Sequence, residues 1–177
     1  MNYNNYPPIG IDAKFLNLQN ALSTHLEFAN VDFYGRVLKT LAKDGKSFIP
    51  EVHVSNSERK EVYYDDINAV GGNVFFIDSE EHTTKDGTLF TAKIKVVFML
   101  NIDKLIPGKT YRADVEVQEK CIKLINKLRI FNVTGIEKGL SNVMKGFNIE
   151  GVRKNDLQPY HTFAVLGNLN YMFNCKK

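Results

Sequence analysis

The sequence has few cysteines and no long apolar run. Its 177 residues include only Cys121 and Cys175, which lie far apart along the chain. Two distant thiols do not make a disulfide framework, and they favour a reducing compartment. No run of apolar residues approaches the ~18 that a membrane-spanning helix needs, and the first ten residues lack the basic and apolar regions of a secretion signal. These absences predict a soluble protein that is made in a cytoplasm and has no membrane partner.

The sequence also lacks a strong net charge and a catalytic motif. A net charge of +3 is too small to indicate nucleic-acid binding unless it is concentrated on one face. No glycine-rich run ends in Gly-Lys-Ser or Gly-Lys-Thr, no serine lies in a nucleophile elbow, and neither cysteine has an activating neighbour. The four histidines show no pair at metal-ligand spacing. The sequence therefore predicts a protein that is not an enzyme and has no cofactor and no metal site.

The clearest pattern is a long strand from Leu89 to Ile102. Seven apolar residues occupy alternate positions, so an extended chain places them on one face of a sheet. The other face begins polar, with Lys93 and Lys95, and becomes apolar at Val97 and Met99. We expect the polar half of that second face to be wet, and the apolar half to be covered by a helix or by a neighbouring molecule.

The rest of the sequence predicts an α+β fold around this strand. The fold is an antiparallel β-sheet meander with a long hairpin, flanked by two main helices on one side, and residues 11–177 form a single domain. An extended N-terminal arm, residues 1–10, contains Pro7 and Pro8 and is either frayed or bound to a neighbour. The predicted elements are a helix from Ile11 to Leu26, a strand from Asp32 to Ala42 and its hairpin partner to Val54, a protruding hairpin that ends near Glu80, Glu81, Lys85 and Asp86, a helix capped by Asp114 and ending near Leu128, a helix or irregular strand from Thr134 to Met144, and a last strand from Tyr160 to Phe173.

Two further groups of residues allow alternative functions. Lys120, Lys123 and Lys127 line one face of the second helix and could bind phosphates, although Glu116 and Glu119 precede two of them by four residues and favour ion pairs within the helix. This stripe leaves open a small nucleic-acid-binding or regulatory domain of bacterial origin. A third hypothesis is a small-molecule-binding or hydrolytic domain with a cleft near the following residues: Glu51, His53 and His161.

Three stretches carry a resemblance to a known family. They are the long strand FTAKIKVVFMLNI, the helix ADVEVQEKCIKLINKL that follows it, and the terminal segment DLQPYHTFAVLGNLNYMF. In this order of strand, helix and closing strand, the sequence resembles the tail-completion and tail-terminator proteins of tailed bacteriophages. These belong to the small head–tail joining proteins that form rings in the virion neck. The chain differs from the family by the extra hairpin from Phe33 to Val54 and by the proline-containing arm.

The resemblance implies a structural virion protein that is made in the host cytoplasm. Family rings are closed homo-oligomers in which one face of a subunit contacts a different face of the next. The implied partners are other copies of the chain, the neighbouring portal, adaptor or tail ring proteins, and, at most non-specifically, the DNA that passes through the ring. Lys93 and Lys95 are the candidate lumen or interface charges. The candidate inter-subunit contacts are Tyr3, Tyr6, Glu80, Glu81, Lys85, Asp86, Val97 and Met99.

Overall fold

Two β-sheets and two long helices form the part of the chain that the structure describes. The computed structural model describes residues 8–26, 28, 30–55, 58–63, 71–150, 152 and 158–172, so Tyr3 and Tyr6 lie outside the described residues. The elements in chain order are α1 (Ile11–His25), β1 (Val31–Arg36), β2 (Leu38–Leu41), β3 (Phe48–His53), β4 (Arg59–Glu61), β5 (Gly72–Thr84), β6 (Leu89–Asn101), α2 (Ile102–Leu105), α3 (Asp114–Leu128), β7 (Asn132–Lys138), α4 (Leu140–Val143) and β8 (Tyr160–Met172).

The larger sheet has the strand order β1-β5-β6-β8-β7, and a smaller sheet has the order β2-β3-β4. The predicted α+β class is confirmed, with antiparallel pairing at β5–β6, β6–β8 and β7–β8. The pairing of β1 with β5 is parallel, which the predicted antiparallel meander does not contain. The predicted strand from Asp32 to Ala42 is divided at Val37, whose N–H donates to the carbonyl of Phe76 at 2.8 Å. The first half therefore joins β5, and the second half pairs with β3.

The first face of the larger sheet is covered by α1 and α3. Phe15, Leu18 and Leu22 of α1 lie in the same buried cluster as Val117, Cys121 and Ile125 of α3. The stripes of apolar residues in both helices follow the helical period, which is why both pack on one side of the sheet. Cys121 has no exposed surface, so this cysteine is a core residue, as the sequence predicts, and its burial raises the pKa of the thiol.

The second face is half covered, and the cover comes from the same chain. Val97 and Met99 have no exposed surface and lie in a cluster with Val52, Val143 and Met144. Their predicted role as inter-subunit contacts is therefore wrong. The small sheet and the segment around α4 cover them; the segment from Thr134 to Met144 contains both a strand, β7, and a single helical turn, α4.

The start of α3 also differs from the prediction. Ala113 occupies the N-cap position and Asp114 is the first helical residue, without a capping hydrogen bond. The Asp114 carboxylate instead accepts from Nε of Arg112 at 2.9 Å and lies at 2.9 Å from Nη2 of the same residue. Asp114 is buried while the Arg112 side chain is exposed, so the carboxylate is satisfied by a partner from outside the helix.

Asp114→Asn is expected to destabilise the protein by about 1 kcal/mol at pH 7. The hydrogen bond from Arg112 lowers the pKa of the Asp114 carboxyl below its ordinary value. A carboxyl with a lowered folded-state pKa stabilises the fold above its unfolded-state pKa, near 3.9, and loses that stabilisation as the pH falls through the folded-state pKa. Urea unfolding of both proteins at pH 7 and pH 3 should show the difference at pH 7 and a smaller one at pH 3. An equal difference at both values would contradict this assignment.

Candidate functional site

The uncovered half of the sheet's second face is the most distinctive surface of the described chain. Side chains of β5, β6 and β8 point outward here, beyond the small sheet, and we call this surface the open face. A groove of about 490 Å³ crosses it between Ile77, Lys95, Glu137 and Leu166. A second hollow of about 660 Å³ continues it toward Thr91 and shares Ser79, Lys93 and Asn168 with the first.

Lys93 and Lys95 both lie on the open face, as the alternation of β6 predicts, but their charges differ in availability. Nζ of Lys95 lies 2.6 Å from Oε2 of Glu137 on β7 and 3.4 Å from the carbonyl of Val143. Lys93 is exposed and makes no ion pair with any residue that the structure describes. Of the two predicted lumen or interface charges, Lys93 is therefore the one that a partner can reach without breaking an internal ion pair.

A bulge of three residues in β5, residues 79–81, borders the open face. Asp78 lies opposite Ile94 and His82 lies opposite Ala92, so residues 79–81 stand opposite Lys93 alone. Glu80 and Glu81 thus lie within this bulge and not at the end of the hairpin, where the sequence predicts them. The hairpin continues to Thr84 because the strand resumes after the bulge. Glu80 forms an exposed ion pair with Nζ of Lys39 at 3.1 Å.

The tip of the hairpin carries Lys85 and Asp86, as predicted. The Asp86 carboxylate accepts from the N–H groups of Leu89 at 2.9 Å and Thr88 at 2.8 Å. These backbone hydrogen bonds lower the pKa of the Asp86 carboxyl. The tip is thereby a closed turn that projects beyond the core, and the predicted contacts of Glu80, Glu81, Lys85 and Asp86 with other subunits stay predictions.

A polar network behind the bulge was not predicted from the sequence. His82 Nδ1 lies 2.7 Å from the Tyr171 hydroxyl, and Nε2 lies 3.1 Å from Oδ2 of Asp78. Arg36 then connects Asp78, at 3.0 Å, with Asp12 of α1, at 2.8 Å. Tyr171 is only 3% exposed, so most of its side chain is shielded from water. The arrangement joins α1, β1, β5 and β8 and thereby connects the bulged strand with the helix.

The hypothesis of a cleft near Glu51, His53 and His161 is wrong. Glu51 and His53 lie on β3, in the small sheet that covers the second face of the larger sheet. The ring of His161 accepts a hydrogen bond from the Gln118 amide of α3, on the first face. The larger sheet therefore separates His161 from the other two. Among the described residues, no group of three or more His, Cys, Asp or Glu side chains could hold a metal ion.

The lysine stripe of α3 is partly neutralised by its own helix. Nζ of Lys123 lies 2.6 Å from Glu119, four residues earlier, which is the pairing that the sequence predicts. Nζ of Lys120 lies 5.3 Å from the ring centroid of Phe28, a cation–π distance. Lys127 is exposed at the end of the helix.

Comparison with protein-family models gives no match, and comparison with curated proteins gives none either. Within the residues that the structure describes, no helix is both long and apolar enough to span a membrane. The surfaces of the chain therefore carry the functional evidence, and the open face is the surface with the most distinctive features.

Proposed function

We propose that this chain is a structural subunit of a homo-oligomeric ring in the neck of a tailed-phage virion. The ring joins the head to the tail and lets DNA pass, and it needs no catalytic residue. The observation that supports the proposal best is the open face, where the sheet extends beyond its cover. Leu89 and Met172 lie opposite each other at the far end of this face and are 44% and 55% exposed.

The length of the central hairpin supports a role in assembly. β5 and β6 each have 13 residues, whereas strands commonly have five or six. The outer half of this hairpin is buried on the first face alone, where Ala92 and Ile94 join the main core, because the buried part of the second face ends near Val97. Exposed apolar residues that lie together with polar ones at the end of a groove are typical of a surface that contacts another protein.

The charges of the open face suit such a contact. Lys93, which makes no ion pair with a described residue, presents its charge beside Ser79, Thr91 and Asn168, so the groove offers hydrogen-bonding groups as well as charge. If the open face lines the lumen, one lysine from each copy repeats around the ring. This gives the weak, sequence-independent attraction to phosphate that passing DNA requires.

The mass of the purified chain in solution tests the proposal. We expect size-exclusion chromatography with light scattering to give a closed multiple of 20.2 kDa, and electron microscopy to show rings with a central hole. Mass spectrometry should find the chain in purified virions together with portal, adaptor or tail ring proteins. A monomer at every concentration and ionic strength, absent from virions, would overturn the proposal.

The alternative function is a nucleic-acid-binding or regulatory domain that uses the lysine stripe of α3. The exposed side chain of Lys127 favours this function. Lys123 is already in an ion pair with Glu119, and Lys120 already contacts the ring of Phe28. Binding that weakens steeply with salt, and that is lost when all three lysines are changed to glutamate, would favour this function over the first.

A further inference from the structure

The two edges of the larger sheet are protected to very different degrees. At one edge, α1 packs against β1, and the amide of Gln19 donates to the carbonyl of Phe33 at 2.8 Å. Gln19 is only 1% exposed, so this hydrogen bond is shielded from water. At the other edge lies β7, which pairs with β8 on one side and with no described strand on the other.

The backbone of β7 points alternately toward β8 and away from it. The N–H of Gly139 donates to the carbonyl of Thr162, and the register pairs Glu137 with Ala164. In an antiparallel ladder this directs the backbone groups of residues 135, 137 and 139 toward β8, and those of residues 136 and 138 outward. The register shift between Val133 and Gly135 interrupts this alternation at residue 134. The outward carbonyl of Lys138 already accepts a hydrogen bond from the side-chain amide of Asn142 at 3.0 Å.

The outward backbone groups of Ile136 face no described strand, because β7 pairs with no described strand other than β8. Ile136 is also 43% exposed, although it is a large apolar residue. Proteins normally cover or charge an edge strand, because unpaired N–H and C=O groups bind any extended chain of suitable sequence. The outer edge of β7 therefore has the features of a site for an added strand.

We propose that the outer edge of β7 in one copy binds residues 1–6 of a second copy as an added β-strand. This inference rests on the proposed function, since it names the contact that joins neighbouring subunits. It assigns the predicted contacts Tyr3 and Tyr6 to a defined surface, the edge of β7, and not to the open face.

The position of α1 indicates that the segment comes from a second copy. Asp12, near the start of α1, is paired with Arg36 of β1, at the far side of the sheet from β7. Arg36 also pairs with Asp78 of β5, and the register from Asp78 leads across β6 and β8 to Val133 of β7. These three strand spacings amount to about 14 Å.

The chain between Tyr6 and α1 is too short to cross its own sheet. Residues 7–10 span at most about 14 Å when fully extended, which leaves no length to pass around α3. A segment that leaves one side of a subunit and an open edge on the opposite side make a head-to-tail contact. Such heterologous contacts close into a ring when the rotation from one subunit to the next closes, and they form an open filament otherwise.

The composition of residues 1–6 also suits the edge of β7. Met-Asn-Tyr-Asn-Asn-Tyr carries no side-chain charge, so it places no like charge opposite Glu137 or Lys138. Tyrosine favours strands, and Pro7 and Pro8 lack the N–H groups that would continue the pairing. The added strand would therefore end at Tyr6.

Two variants that each remove one half of the contact test the proposal. Ile136→Pro removes an outward N–H without removing a hydrogen bond to β8, and a variant without residues 1–7 removes the added strand. We expect each variant alone to be a monomer by light scattering. An equimolar mixture should form a 1:1 dimer of about 40 kDa, twice the 20.2 kDa chain, because each partner supplies the half that the other lacks and neither can extend the chain of contacts. Ile136→Thr, which keeps the N–H, should assemble like the wild type.

The outcomes separate this inference from the proposed function. Rings formed by both variants would overturn the inference and leave the ring function intact, whereas a monomeric wild type would overturn the ring function itself. Assembly of the truncated variant but not of Ile136→Pro would show that β7 pairs with another β7, and would overturn the role of residues 1–6.

A cross-link is the second measurement, for the case that Ile136→Pro does not fold. Chains with Asn4→Cys and chains with Ile136→Cys, both with Cys175 replaced by serine, are mixed and tested for a disulfide between them. Absence of that cross-link in the assembled protein would also overturn the proposal.

Discussion

Met99→Ala is expected to lower the free energy of unfolding by about 2–5 kcal/mol and to leave the mass of the assembly unchanged. Met99 has no exposed surface and packs among Val52, Val143 and Met144 of its own chain. The truncation removes buried apolar contacts and leaves a cavity between the larger sheet and its cover. The cost therefore belongs to the fold of each subunit and not to a contact between subunits.

Met172→Ala is the matched control, because the same residue type lies on the same face of the sheet but is 55% exposed. We expect it to change the free energy of unfolding by no more than about 0.5 kcal/mol. Urea unfolding gives both values, and light scattering below the unfolding transition gives the mass. A Met99→Ala protein that is as stable as the wild type, but no longer assembles, would restore Met99 as an inter-subunit contact.

The long strand and the two helices were predictable from the sequence, since each has one dominant period. Phe98 and Val96 alternate with Val97 and Lys95 as the strand requires, and Phe15, Leu18 and Leu22 follow the helical period. The cover over Met99 was not predictable from period alone. It comes from short segments with little periodicity, which are joined by single contacts such as the hydrogen bond from the Asn148 N–H to the Phe48 carbonyl at 2.7 Å.

The network around His82 shows a different limit of sequence reasoning. In a regular strand Asp78 and His82 would share a face but lie about 13 Å apart. The bulge shortens this separation until Nε2 and Oδ2 are 3.1 Å apart. Nothing in the residues from 78 to 82 indicates a bulge, and the residues that contact its two ends, Arg36 and Tyr171, are distant in sequence. The open edge of β7 was equally hidden, since Thr134 and Glu137 also match a helix start.

Gly167→Ala is expected to destabilise the protein by about 3 kcal/mol. The ring of Phe131 lies over this glycine, and a Cβ at residue 167 would meet Cδ2 of that ring at 2.2 Å and the carbonyl oxygen of Asn132 at 2.4 Å. The ring is buried and the carbonyl belongs to the backbone, so neither can move aside without a change in the chain. Gly167 pairs with Val133, and the clash therefore separates the beginning of β7 from β8.

Gly135→Ala on β7 is the control for this effect, because its Cβ would meet only Cδ1 of Leu166, at an ordinary 3.7 Å. We expect its stability to be unchanged or slightly raised, since alanine reduces the freedom of the unfolded chain. Thermal and urea unfolding measure both variants, and a Gly167→Ala protein as stable as Gly135→Ala would contradict the close approach.

If the edge of β7 joins neighbouring subunits, Gly167→Ala should also weaken assembly at temperatures where the rest of the sheet is still folded. Amide exchange at Ile136 would report that loss directly, because its N–H becomes protected only when a strand is added.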